Sequence, residues 1–229
     1  MKDLDVFNIS DFSENILLIE MKKNTPYSNS NEVFLSLSQH LRKTVDWVEV
    51  IPAEESIAIK YNCLEGPGTN ARNIIKSKLE EFRDHQEYSE KSLLCIPVYY
   101  SEEFGLDIKY VSAKNLISIQ EVADLHSGVN YKVKMTGFTP GFAYLGDLPE
   151  KLIMPRLSRP RVNLLPGSIG ISGNRTGVYT LGGPGGWRII GRTPLRLFDP
   201  DKKNPFKIFT GMQIKFQSMT KQQYESYSN

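Results

Sequence analysis

Gly137-Phe138-Thr139-Pro140-Gly141-Phe142-Ala143-Tyr144-Leu145 opens the stretch whose reading decides the fold. From Gly137 to Gly191 the chain carries twelve of its seventeen glycines, and prolines recur at 140, 149, 155, 160, 166 and 184. Regular helices do not survive that spacing, because proline removes a backbone donor and glycine adds entropy that folding must overcome. Short strands with irregular, ligand-sized loops do. Just upstream, Tyr131, Val133 and Met135 alternate with Lys132, Lys134 and Thr136, the two-residue period of a half-buried strand. Further strands are predicted at residues 165–172, 177–180, 188–190, 195–198 and 213–217. A β-barrel over residues 91–229 follows.

The residues before it have a different grammar. Residues 15–21 (NILLIEM) read as a buried strand, and Val33, Phe34, Leu37 and Leu41 put a helix over 31–43. Short strands at 47–51 and 56–61 are joined by a turn at 52–55. A second helix over 70–84 presents Ile74, Ile75, Leu79 and Phe82 on one face, after the breaker Gly66-Pro67-Gly68-Thr69. A strand at 93–99 closes the series. This order gives an α+β class of two domains: a small two-layer α/β sandwich over 1–90, then the barrel. The polar run 87–92 is the expected boundary. Two short helices, 103–115 and 118–127, lead into the barrel, the second opened by a Ser118/Glu121 capping box.

The net charge of +2 conceals an asymmetry. Residues 1–129 hold 13 Lys/Arg against 21 Asp/Glu, and residues 130–229 hold 15 against 5. Lys151, Arg156, Arg159, Arg161, Arg175, Arg188, Arg192 and Arg196 occur between 151 and 198 without one acidic residue. Such a run must face solvent, the acidic half, an acidic partner or an anionic ligand. Arginine suits bidentate recognition of carboxylate or phosphate. Plain solubility is the bland alternative.

Several classes drop out. No run approaches a membrane span, and the acidic start is unlike a signal peptide. Cys63 and Cys95 cannot build a disulfide framework; they fit a reducing cytoplasm and are expected as small buried hydrophobes in strands. His40, His85 and His126 lack metal-ligand spacing, so no metal is expected. Neither G-x-x-x-x-G-K-[ST] nor G-x-S-x-G occurs. The arginines sit in Gly/Pro turns rather than along a helix, which disfavours nucleic acid.

Taken together, Gly137 to Leu145, Pro155-Arg156, Pro160-Arg161, Leu165-Pro166-Gly167-Ser168-Ile169-Gly170-Ile171-Ser172-Gly173, Thr176-Gly177-Val178-Tyr179, Pro184-Gly185-Gly186-Trp187 and Ile190-Gly191-Arg192-Thr193-Pro194 resemble the family of the 5-oxoprolinase B subunit, which is also called the allophanate-hydrolase subunit 1 or KipI-like family. The resemblance spans nearly the whole chain. It implies a small α+β domain followed by a cyclophilin-like β-barrel. It also implies two partners, a homologous larger C subunit and a third, the A subunit. With them such proteins open the lactam of 5-oxoproline to glutamate, consuming ATP. A relative is fused within the carboxyltransferase part of urea carboxylase, and one member inhibits a sporulation histidine kinase. The chain departs from the family pattern at Leu164–Ser168, where the proline is displaced by one place, and at Arg175 and Thr180.

Phosphorylating a lactam oxygen makes it a leaving group, and an intermediate bearing phosphate and carboxylate needs cations or N–H donors placed in advance. Arg156, Arg161 and Arg192 are the candidate cations, although Pro-Arg pairs also anchor loops on carbonyls. Gly141, Gly167, Gly170, Gly173 and Gly186 would let backbone N–H groups approach an anion, or simply make tight turns. Phe138, Phe142, Tyr144 and Trp187 would wall a pocket for a flat ring, or else fill the core. His126, which resembles a family-pattern histidine, is a candidate general acid/base, or a helix-end histidine satisfying carbonyls. Ser168, Thr176 and Thr193 would bond a ligand or cap turns. Two further functions compete with that of a lactam hydrolase component: a histidine-kinase inhibitor and part of a urea or amide carboxylase.

Overall fold

The computed structural model describes residues 6–23, 30–45, 47–64, 68–82 and 92–227. The expected boundary at 87–91, the Gly66-Pro67 breaker and the end of the second helix past residue 82 lie outside them. The chain divides into two compact units, Met1–Ser89 and Glu90–Asn229.

The first unit is a sheet covered by two helices. Strands β1 (Phe7–Ser13), β2 (Ile16–Met21), β3 (Glu49–Pro52) and β4 (Ser56–Lys60) are antiparallel, in the order β1-β2-β4-β3. Leu17 lies opposite Ile59 and Ile19 opposite Ile57, so four apolar side chains share one face. Helices α1 (Ser30–Thr44) and α2 (Gly68–Glu81) cover it with Val33, Phe34, Leu37, Leu41, Ile75 and Leu79, all buried. Each such side chain contributes about 1.5–3 kcal/mol. β1 escapes sequence reading because FNISDFS buries Phe7 alone and has no apolar period.

The second unit contains β5 (Leu93–Val98), β6 (Asn130–Thr136), β7 (Ala143–Gly146), β8 (Arg161–Leu164), β9 (Ser168–Ser172), β10 (Arg175–Tyr179), β11 (Gly183–Gly185), β12 (Arg188–Arg192) and β13 (Gln213–Ser218). Seven of these form one curled sheet, ordered β12-β9-β10-β7-β6-β13-β5. Its two outermost strands meet again where Tyr99 and Arg192 exchange both backbone hydrogen bonds, at 2.9 and 3.1 Å. β5 runs parallel to β13, from Leu93 beside Gln213 to Val98 beside Ser218. This corrects the expectation that residues 93–99 end the first domain's series: periodicity identifies a strand but not its partner.

Helices α3 (Ile108–Asn115) and α4 (Ile119–Ser127) pack with the barrel core of Ile96, Val98, Val133, Leu145, Ile169, Ile171, Val178, Ile190, Ile214 and Phe216. α4 carries the predicted box: the Glu121 N–H donates to Ser118 Oγ (3.1 Å), and the Ser118 N–H donates to the Glu121 carboxylate (2.7 Å). α3 begins later than predicted. A side chain at Gly105 would collide with the Ile190 backbone at 2.7 Å, and Asp107 is tied to Ile189. Residues 195–198 are not a strand; apart from the isolated Phe198–Phe206 pair they are irregular, and Pro194, Pro200 and Pro205 lack the donors a ladder needs. A short helix α5 (Lys221–Ser226), unforeseen, lays Tyr224 against Tyr99 and Phe104. Cys63 and Cys95 are exposed rather than buried: Cys63 sits in a turn, and Cys95 points outward from β5. Among the described residues no helix is long and apolar enough to cross a membrane.

Candidate functional site

The sheet buries both faces where β12, β9, β10 and β7 lie side by side. Ile171, Val178 and Leu145 point into the barrel. On the outer face a row of paired residues runs Ile189, Gly170, Gly177, Tyr144. The two-stranded ribbon β8–β11 forms a separate sheet, and Leu164 of β8 joins Phe142, Tyr179, Trp187 and Ile189 in a second apolar cluster, with Tyr144 packed against it.

Glycine makes that cluster possible. A Cβ on Gly170 would stand 3.0 Å from Tyr179 and 3.1 Å from Trp187; one on Gly177 would stand 2.7 Å from Ala143 O. The two face each other across β9 and β10, and their bare backbone is the floor on which the rings sit. Phe142 meets Tyr144, Tyr179 and Trp187 edge-on, with centroids 4.9, 5.2 and 5.5 Å away. Phe138 adds a fourth contact at 5.5 Å and is itself half in solvent, whereas Phe142, Tyr179 and Trp187 are buried and fill a core rather than wall an open pocket. Such pairs contribute about 0.5–1.5 kcal/mol each beyond their burial. Burial raises the Tyr179 hydroxyl above the usual tyrosine range, against the pull of the Trp187 backbone N–H and of the Arg156 charge.

The three candidate cations separate sharply. Arg161 forks onto Asp107, Nη1 to Oδ2 at 2.8 Å and Nη2 to Oδ1 at 2.9 Å. Arg192 donates from Nε to Pro166 O (2.8 Å) and holds its guanidinium 5.2 Å from the Phe104 ring centroid. Arg156 is exposed and has neither a hydrogen bond nor an ion pair to its side chain among the described residues. Its backbone is nonetheless fixed on both sides: Gly173 N–H donates to Met154 O (2.6 Å), and Leu157 N–H donates to Gly186 O (2.8 Å). The basic run is therefore less free than its sequence implies. Arg161 and Arg188 share Asp107, Arg175 pairs with Asp147, and Arg196 pairs with Asp199, all carboxylates outside residues 151–198.

His126 lies elsewhere. It points into the barrel core from α4, fully buried and stacked on Phe216 at 4.6 Å. Nδ1 is 2.6 Å from the Tyr100 hydroxyl and Nε2 is 2.8 Å from Thr176 Oγ1. Thr176 Oγ1 has a single proton, which it donates to Gly170 O (3.0 Å), so it must accept from His126 Nε2–H. Tyr100 then donates to Nδ1. Desolvation lowers the imidazole pKa to about 3, so it is neutral and holds a fixed tautomer. The ring spans Tyr100 and Thr176 on the barrel side of the sheet, away from the aromatic cluster; the alternative of bonds to helix-end carbonyls is not what the structure shows.

The predicted glycines and hydroxyls are mostly committed to the fold. Gly167 and Gly173 give their N–H groups to Tyr179 O and Met154 O, so neither offers one to a phosphate. Ser168 Oγ donates to Leu165 O (2.7 Å), and Thr193 Oγ1 accepts from Leu195 N–H (3.1 Å). Gly141 packs its backbone against Phe198 and Thr180, and Gly186 faces Pro160. The structure thus gathers Phe138, Phe142, Tyr144, Gly170 and Trp187. Arg156, whose charge acts on the Tyr179 hydroxyl, is the predicted cation that has no partner among the described residues. Two further residues matter to the site. Tyr179 completes the cluster and was visible in the Thr-Gly-Val-Tyr motif; Asp107 organises two arginines and gave no local signal.

A family model described as "Carboxyltransferase domain, subdomain C and D" matches residues 7–208. Two proteins named as the B subunit of 5-oxoprolinase are each 36% identical to the chain. The one from Bacillus subtilis matches over 191 residues, 79% of either chain; the one from Escherichia coli O157:H7 matches over 205 residues, 89% of this chain and 92% of the relative. The crystal structure of TTHA0988 superposes on 90% of the chain with a TM-score of 0.76 at 25% identity. The chain spans 40% of that longer protein.

Proposed function

Because the chain belongs to the family of the 5-oxoprolinase B subunit, we propose that it works as one component of an ATP-dependent 5-oxoprolinase, opening the lactam of 5-oxoproline to glutamate together with a larger homologous subunit and a third one. The observation that supports this best is Arg156, an exposed arginine with no side-chain partner among the described residues, whose flanking backbone is anchored and whose charge acts on the Tyr179 hydroxyl. 5-Oxoproline is a flat five-membered lactam bearing a carboxylate. Phe138 and the partly exposed Tyr144 keep aromatic surface that suits the ring, and a guanidinium suits the carboxylate. The residues that would break the bond are not assembled here: His126 is held in the barrel core, and the Ser168 hydroxyl is held by Leu165 O. The triphosphate of ATP has no match in the turns at Gly167 and Gly173, so ATP is assigned to the complex and no step of this chain is routed through it. The site is therefore a binding half that a partner completes.

Purified alone, the chain is expected to release no glutamate from 5-oxoproline, whereas the three-subunit mixture does so with ATP. Turnover by the chain alone would remove the shared-site reading. In the mixture, Arg156→Ala should lower kcat/KM about 10–100-fold while the melting temperature stays put, because the side chain has no partner to lose. An unchanged kcat/KM would take Arg156 out of the site.

The description of the matching family model favours a second reading, a carboxyltransferase component of a biotin-dependent urea or amide carboxylase. Incorporation of labelled bicarbonate into urea by the assembled complex, without 5-oxoproline-dependent ATP cleavage, would decide for it.

A further inference from the structure

Three loops come together at one end of the sheet. Gly167 N–H and Gly182 N–H both donate to Tyr179 O (2.8 and 3.2 Å), and Thr180 Oγ1 donates to Pro140 O (2.7 Å). The loop after β6, the one after β8 and the turn after β10 are thereby tied into one surface. Each presents a large apolar side chain to solvent: Phe138 is 59% exposed, Leu165 50% and Leu181 48%. Gly182 holds the last two together, since its backbone rests on Leu164 O and Pro166 N.

Two further features mark this surface. Phe138 sits at φ +70°, a left-handed conformation that a bulky residue adopts at a cost of about 1–3 kcal/mol. The next residue, Thr139, buries its Oγ1 without any hydrogen-bond partner. The rim is basic. Segment 193–198 runs alongside, with Thr193 against Gly167 and Phe198 against Gly141; Arg192 reaches Pro166 O, Arg196 pairs with Asp199, and residues 192–207 together hold five Lys/Arg against two Asp. The whole second unit has 18 Lys/Arg against 11 Asp/Glu over residues 90–229.

We infer that Phe138, Leu165 and Leu181 form the docking surface for a partner protein whose contact patch is apolar at its centre and acidic at its rim. The surface adjoins the aromatic cluster, because Phe138 meets both Phe142 and Tyr179. Aromatic and aliphatic anchors ringed by charge are the usual energetic centre of such interfaces. The inference rests on the proposed function only for the choice of probe.

The test uses the full chain and the larger 5-oxoprolinase subunit of the same host, with sedimentation and a binding titration at low and moderate salt. Expected is a complex that salt weakens, and that Leu165→Glu with Leu181→Glu weakens about tenfold or more at an unchanged melting temperature. Leu116→Glu, at a 94% exposed apolar position on another part of the unit, should leave binding alone. Three results overturn the inference: no complex with the unaltered chain, equal affinity in the folded double variant, or self-association of the chain that the double variant abolishes. A complex that forms as expected but turns over no 5-oxoproline counts against the enzymatic reading and not against this surface.

Discussion

Replacing Asp107 with Asn is expected to destabilise the second unit by about 3–5 kcal/mol, seen as a lower midpoint in urea or thermal unfolding. Asp107 is 6% exposed. Its carboxylate accepts two bonds from Arg161 and one from Ile189 N–H (2.7 Å), and lies 3.7 Å from Arg188 Nη1. Asn has nearly the same shape but no charge. It leaves a buried Arg188, whose Nε already lacks a partner, without a counter-ion, and it cannot accept at both oxygens. Arg161 retains 28% exposure and recovers some hydration, which keeps the loss below that of a fully buried triad. Arg161→Lys should cost less, about 1–2 kcal/mol, since the charge stays and the fork is lost. A midpoint unmoved by Asp107→Asn would mean that the ion cluster does not hold α3 and β8 to β12.

Acid is expected to weaken the barrel through His126. The native imidazole titrates at about 3, and in the unfolded chain at about 6.5. Between those values the unfolded chain holds a proton that the native one does not. The stability this histidine provides is therefore complete above about pH 6.5. It falls by about 1.4 kcal/mol per unit as pH drops towards 3, roughly 4–5 kcal/mol in all. His126→Gln keeps a donor and an acceptor but cannot take up the proton. Unfolding free energies measured from pH 7 to 4 should show the slope in the parent chain and its loss in the variant. Parallel slopes would show that the native histidine titrates normally.

Signals carried by near neighbours are legible in the sequence, and pairings between distant residues are not. The Ser118/Glu121 box, the face Val33-Phe34-Leu37-Leu41 and the alternation from Tyr131 to Met135 each depend on neighbours within a few residues, and all three stand in the structure. β7, β8 and β11 are three or four residues long, too short to show a period. Arg161 illustrates the limit at the site. Its residue type and motif suggested an anion, and the anion is Asp107, 54 positions away. The aromatic cluster was legible as a list of rings, but which side of the sheet they occupy was set by Gly170 facing Gly177. His126 reads in the sequence as a general acid/base or a helix-end histidine satisfying carbonyls; the fold instead seats it, buried, between Tyr100 and Thr176.

The parallel pairing of β5 with β13 sets a timetable for synthesis. β13 lies between β6 and β5 in the sheet, so Leu93 has no strand beside it until Gln213 has been made, about 120 residues later. At about 5–20 residues per second, β5 waits on the ribosome for roughly 6–24 s before β13 can pair with it. During that time the exposed edge of β5 is open to other chains. The second unit is thus the part of this protein whose yield should depend on chaperones and growth temperature.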